Sequence, residues 1–404
     1  MSEASQSNRS NPDHEIPSLS TRLGEVGRSV YSQLIHRLKN REGEIYPLHV
    51  GDTYLSPPIE LHDPMLIDGE YASALNRYTP VRGADHVVET ARRWLENRQQ
   101  MVVREDELIV TGGATGGLSA LLAALLSPGD ELLLLAPFWP LMAGATRLHG
   151  ALPVAVPFFQ EDLSLDEAIS RIDSYWTDRV KAIYVNTPNN PTGEVLSSEW
   201  IEAIVSWASY RKVWVISDEV YDLFCYHGEH TYARPLAPDR VISAFSMSKA
   251  FGMAGYRCGL LQGPSEVITA TERVLTHSMY SAATPGQFAA SSALSDRGLA
   301  WAQKASTLYQ EVGNEAARRL QVPEPQGSTF LFINVSDAIK KGAPFHTSEG
   351  GVSALLEACV DHGLLIAPGS AFGPYPEHVR VCFTAAPPEV VLRGVEILAN
   401  LLSV

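Results

Sequence analysis

The sequence predicts an α/β protein: a large domain on a mostly parallel sheet flanked by helices, with a smaller α+β domain beside it. Three observations carry this. From about residue 84 the chain alternates helical and strand patterns. Its strand segments are nearly continuously apolar, as strands covered on both faces must be. After Pro323 the pattern changes to strand, helix, strand and closing helix. At 404 residues and 45% hydrophobic, the chain can bury a sizeable core, in two or three domains or one large one.

Taken in order, Met1 to Ile16 are rich in Ser, Asn and charge and read as a tail rather than a signal peptide. Leu23, Val26, Val30, Leu34 and Leu38 recur at helical spacing within 19–41. Leu48–Val50 is expected to be a short strand before Gly51. Helices are expected over Asp85–Gln99, Gly117–Leu126, Leu141–His149, Leu165–Tyr175 and Glu199–Tyr210. Between them fall strands at Leu108–Val110, Glu131–Ala136, Leu152–Pro157, Ala182–Asn186 and Val213–Ser217. Val241–Phe245 and Gly259–Gln262 add two more strands. Val267 to about Val312 is mostly helical. Phe330–Val335 and Val379–Phe383 are strands, and Val352–His362 and Pro388–Leu401 helices.

Charge and cysteine usage narrow the function. Lys and Arg number 31 and Asp and Glu 46, a net charge of −15. Nucleic acid and anionic membrane surfaces, which want a positive face, are therefore not expected partners. A small anion held by a few local cations remains open. The four cysteines form no Cys-x-x-Cys pair and read as reduced thiols, so a soluble cytoplasmic protein is expected. The most apolar stretch, Leu118–Leu126, is too short to span a bilayer. His227-Gly-Glu-His230 lacks a third ligand and reads as a surface loop, so no metal site is expected.

Five segments carry chemistry. Thr111-Gly-Gly-Ala-Thr-Gly-Gly117 joins a strand to a helix, where N–H groups suit an anion. Asn186-Thr-Pro-Asn-Asn-Pro-Thr-Gly193 fixes a turn at the carboxyl end of a strand, where open α/β sheets bind ligands. Asp218-Glu-Val-Tyr221 follows another apolar strand and offers an acid at the sheet edge. Ser246-Met-Ser-Lys249 places a lysine between a strand and Gly-rich sequence, with Arg257 eight residues on. Burial near cations lowers an amine's pKa and makes it a nucleophile. Pro368-Gly-Ser-Ala-Phe-Gly373 leads to Arg380, a residue type suited to gripping a carboxylate.

In this order the segments resemble the class I/II aminotransferase family of fold-type-I pyridoxal-phosphate (PLP) enzymes, from about residue 45 onward. The resemblance implies a seven-stranded sheet in the large domain. It divides the chain into a disordered tail (1–18), an N-terminal part of the small domain (19–60), a PLP-binding large domain (61–290) and a small C-terminal domain (291–404). It implies that Lys249 forms the Schiff base and that Asp218 pairs with the pyridinium nitrogen. Tyr221 and Asn190 match the groups on the ring's phenolic oxygen. Gly113, Ala114 and Thr115 match the phosphate loop, with Ser246, Ser248 and Arg257 as further phosphate ligands. Trp139 matches the ring-stacking aromatic, and Tyr78 a tyrosine that serves the neighbouring subunit of a homodimer. Gly51, Asn190 and Arg380 match the substrate-carboxylate grip.

The implied reaction moves an amino group between an α-amino acid and a 2-oxo acid. A lyase, cyclase or oxidase on the same scaffold is the alternative. Thr276–Thr284, where a second cation for acidic side chains is expected, holds neither Arg nor Lys, which leaves a dicarboxylate less supported. His277 and Tyr280 in that stretch are candidates for lining the pocket.

Overall fold

The computed structural model describes residues 42–58, 73–159, 162–341 and 350–404, and Ser20. The expected tail and the helical pattern of 19–41 lie outside the described residues. The elements begin with α1 (Asp85–Gln99), β1 (Leu108–Thr111), α2 (Gly113–Leu125), β2 (Glu131–Ala136), α3 (Pro140–Leu148) and β3 (Leu152–Pro157). Then come α4 (Leu165–Ser174), β4 (Val180–Asn186), α5 (Ser198–Arg211), β5 (Trp214–Asp218), β6 (Val241–Ser246) and the short α6 (Met247–Ala250). They continue with β7 (Gly259–Gln262), α7 (Ser265–Thr276), α8 (Thr284–Ala293) and the long α9 (Asp296–Leu320). The chain closes with β8 (Phe330–Asn334), α10 (Ser336–Lys341), α11 (Gly351–Asp361), β9 (Ala367–Pro368), β10 (His378–Cys382) and α12 (Pro388–Leu402).

Seven strands form one sheet in the order β1-β7-β6-β5-β4-β2-β3. β7 runs antiparallel to both its neighbours, and the other pairs are parallel. Every residue of β2, Glu-Leu-Leu-Leu-Leu-Ala, is buried, so both faces of the sheet are covered there. Local signals start the helices. Ser164 caps α4, with Glu167 Oε2 accepting from the Ser164 N–H at 2.9 Å. Pro140 occupies the first turn of α3, where no backbone donor is needed.

Register assembles one edge of the sheet. Thr111 and Ser246 both pair with Gly259, and Asn186 pairs with Asp218. The carboxyl ends of the parallel strands thereby meet where open α/β sheets hold ligands.

A second, antiparallel sheet runs β8-β10-β9. The chain at 46–54 is laced onto it. Cys382 N donates to Leu48 O at 2.8 Å, and Tyr54 N to Thr384 O at 2.9 Å.

Three details differ from the sequence reading. Leu48–Val50 is a turn, because Leu48 N bonds back to Tyr46 O; the ladder contact nearby is the isolated bridge of Tyr46 to Leu364. α2 begins at Gly113, so most of the expected glycine loop is the helix's first turn. β9, two residues long, carries too little pattern to read.

Candidate active site

A cleft of about 1090 Å³ opens between the carboxyl edge of the seven-stranded sheet and the chain at 49–51, 367–374 and Arg380. Its floor is Asp218, 3% exposed at the end of β5. Tyr184, one strand over, donates to Asp218 Oδ2 at 2.5 Å. The other oxygen, Oδ1, is buried and among the described residues has no hydrogen-bond partner. Burial raises the Asp218 carboxyl to about 6, tempered by the bond from Tyr184. Asn186 locks the neighbouring turn. Its Nδ2 donates to Asp218 O at 2.8 Å, and its Oδ1 accepts from Asn190 N at 2.7 Å. Tyr221 is buried edge-on against Phe330, at 5.8 Å, and burial pushes its hydroxyl well above the usual phenol range.

Lys249 lies in α6, whose first turn Ser246 caps by accepting from Ser248 N at 3.2 Å. The Lys249 amine donates to Gly51 O. Burial lowers its pKa, and Arg380 and Arg257 act in the same direction against the opposing pull of Cys382 and Asp52. Gly51 is required by space: a Cβ there would sit 2.7 Å from Phe330 Cζ. Arg380 is buried and held on four sides. Nη1 donates to Asn190 Oδ1 at 2.9 Å and Nη2 to His49 O at 2.6 Å, while Phe330 and Phe372 stack on the guanidinium at 4.2 and 4.7 Å. Burial, then Arg380, lowers the His49 imidazole to about 4, so it is neutral near pH 7.

The opposite end of the cleft is built from backbone. Gly113 starts α2 at φ +76° and Ala114 and Thr115 follow, so the free N–H groups of a helix start face the cleft wall. Arg257, itself left-handed at φ +51°, crosses this turn. A Cβ on Gly113 would lie 2.6 Å from Arg257 Nη2, and a Cβ on Gly259 2.7 Å from Ala114 N. Ser246, Ser248 and Trp139 also line the cleft. Tyr78 does not: it is 91% exposed and packs edge-on against Tyr280 at 5.5 Å. Tyr280 and His277 likewise stand outside the cleft wall, as exposed residues.

The donor set has a definite ligand chemistry. An orphaned buried carboxylate oxygen suits a protonated ring nitrogen. A helix start with an arginine and two hydroxyls suits a phosphate dianion. A buried amine whose pKa is lowered suits an aldehyde. The sequence profile of the family described as aminotransferase class I and II matches residues 67–398. The chain belongs to that family. Aminotransferases of this family use PLP, and the cleft residues fit it: Asp218 Oδ1 for the ring nitrogen, the Gly113–Thr115 turn for the phosphate.

Among curated relatives, the aspartate/prephenate aminotransferase of Thermus thermophilus is 31% identical over 344 residues, 82% of this chain and 84% of that protein. The aromatic-amino-acid aminotransferase 2 of Thermococcus litoralis is 29% identical, covering 91% of this chain and 94% of that one. The structure of a double mutant of Thermus thermophilus aspartate aminotransferase superposes with a TM-score of 0.85 at 26% identity, covering 96% of this chain and 100% of that one. This aminotransferase is thus a PLP-dependent transferase with the fold-type-I architecture. Sequence reading alone missed Tyr184, Asn186 as a clamp, Gly259, His49 and the Phe330–Phe372 sandwich. Tyr184 sits inside an apolar strand and looks like core; only its pairing with β5 reveals it.

Proposed function

We propose that this aminotransferase moves an amino group between an α-amino acid and a 2-oxo acid, with Lys249, Asp218, Tyr221 and Arg380 in separate roles. The observation that carries this is the amine of Lys249 sharing one cleft with a buried carboxylate and a buried arginine. Bound PLP supplies the electron sink that makes the substrate Cα–H acidic. The Lys249 amine, whose pKa burial lowers, takes the proton from Cα. Asp218 stays anionic to hold the ring nitrogen protonated; an amide could accept a hydrogen bond but not balance the charge. Tyr221 and Asn190 donate to the ring's phenolic oxygen. Arg380 grips the substrate carboxylate, with Gly51 supplying backbone contact and Phe330 and Phe372 excluding water from the guanidinium faces. Gly113, Ala114, Thr115, Ser246, Ser248 and Arg257 hold the phosphate, and Trp139 stacks on the ring.

Tyr78, exposed and outside its own chain's cleft, serves the cleft of a second copy in a homodimer. The four free cysteines support a cytoplasmic setting. The relatives' names span aspartate, prephenate and aromatic amino acids, so the shared chemistry is the α-amino acid with its 2-oxo partner.

Mixing the holoenzyme with an amino acid alone tests this. The visible cofactor band is expected to disappear stoichiometrically and return when a 2-oxo acid is added. Release of ammonia or hydrogen peroxide instead would assign a lyase or an oxidase.

A further inference from the structure

A buried polar cluster lies directly behind the Asp218 turn. Glu219, fully enclosed, is next in sequence to Asp218. Its Oε1 accepts from Ser243 Oγ at 2.7 Å, and its Oε2 pairs with His230 Nε2 at 2.9 Å. The side chain of His230 is 2% exposed, although His227, Gly228 and Glu229 before it are exposed. The expected surface loop therefore ends in a buried anchor. Asp222, at the end of the same turn, is matched separately: Arg98 lies 3.5 Å from it, and Tyr232 donates to it at 2.9 Å. His230 also packs edge-on against the ring of Tyr232, and among the described residues its Nδ1 has no hydrogen-bond partner. Tyr184 faces Asp218 from β4. Among the described residues, the cation that answers Glu219 is His230.

Two adjacent carboxylates in a dry interior repel each other, and an uncompensated buried charge is strongly unfavourable. We propose that His230 is a positioning residue, whose imidazolium balances Glu219 so that the adjacent Asp218 remains an anion in a fixed place. This rests on the reading that Asp218 answers the ring nitrogen of PLP. The electrostatics agree. Burial already raises Asp218 to about 6, and the charge of Glu219 pushes it the same way. Burial acts to lower His230, but Cys225 and Glu219 beside it outweigh that and raise it to about 10. His230 is thereby favoured as the cation beside Glu219.

The test is PLP affinity as a function of pH, read by absorbance titration of the full-length apoprotein, for wild type, His230→Gln, Glu219→Gln and the double variant. Glutamine keeps hydrogen bonding and removes the charge. His230→Gln should shift the acid-side loss of affinity upward by about one pH unit, weakening binding by about twofold at neutrality and by about tenfold well below the midpoint. Glu219→Gln should shift it downward. The double variant should return to within about threefold of wild type, because no uncompensated buried charge is left. A merely structural pair would behave otherwise: His230→Gln would weaken binding equally at every pH and the double variant would be no better. That pattern, or an unmoved His230→Gln profile, overturns the proposal. If His230→Gln fails to fold, a Glu219→Gln midpoint at or above the wild-type value overturns it as well. Asp218→Asn separates the two levels. If it keeps the wild-type pH dependence, the Asp218 reading fails; if it loses that dependence while His230→Gln keeps it, the His230 proposal fails.

Discussion

The two ends of the cleft are built on opposite plans. At the β5 end, side chains do the work: Asp218, Tyr184 and Tyr221 are enclosed, titratable and shifted by burial. At the α2 end, backbone does it: Gly113 to Thr115 present N–H groups across which an exposed Arg257 lies. A buried charge is costly unless its partner arrives, so the first end is poised to act on charge that develops during reaction. A helix start needs no such investment and binds a fixed anion in every state. The contrast divides labour: the buried end governs rate and the pH-dependent part of cofactor affinity, the open end the pH-independent part of that affinity.

The comparison can be broken most severely at Lys249. Lys249→Ala should lower kcat by at least about 10⁴-fold, since both proton transfer and the covalent anchor are lost; steady-state turnover measures it, and turnover within tenfold of wild type would be incompatible with the assignment. Asp218→Asn should cost about 10²–10³-fold in kcat while the cofactor stays bound at saturating concentration. If cofactor affinity fell and rate did not, the division of labour would be reversed.

Arg380→Ala should raise KM for a 2-oxo acid by roughly 30–100-fold, the loss of charge-assisted hydrogen bonds. Gly113→Ala sharpens the other half. A non-glycine residue in the left-handed region costs roughly 1–2 kcal/mol and so weakens cofactor binding by about tenfold, with kcat at saturating cofactor close to wild type. An unchanged affinity would mean that the turn is less tightly specified than its contacts imply.

The smallest effect is on pH-dependent stability. His230 is raised from 6.5 to about 10, so its contribution is complete below pH 6.5 and lost as pH rises through about 10. The apoprotein Tm should fall over that interval, and less steeply in His230→Gln. A wild-type Tm that stays level would contradict the charged pair.

How much of this was legible before the structure follows the same divide. Polar residues just past the ends of apolar strands announce themselves: Asp218, Lys249, Asn190 and the Gly113 turn all follow apolar runs. The helix and strand pattern of the large sheet was readable because β2 and β4 are buried on both faces and so nearly all apolar. What supports the site was not. Tyr184 and Ser243 lie within apolar strands, and Glu219 and His230 are eleven residues apart with a polar loop between them. Their pairing depends on a loop folding back into the interior, which no periodicity encodes. The antiparallel β7 hid its own role too: Gly259 is needed because Ala114 N would come within 2.7 Å of a Cβ there, a contact between a strand and a helix start far apart in sequence.

The central claim is that one lysine, beside a buried acid, does the chemistry. Borohydride reduction of the holoenzyme followed by peptide mapping tests it most directly. The account predicts that the cofactor mass is found on the peptide containing Lys249 and on no other lysine. Cofactor fixed to a different lysine, or a visible band untouched by borohydride, would contradict it.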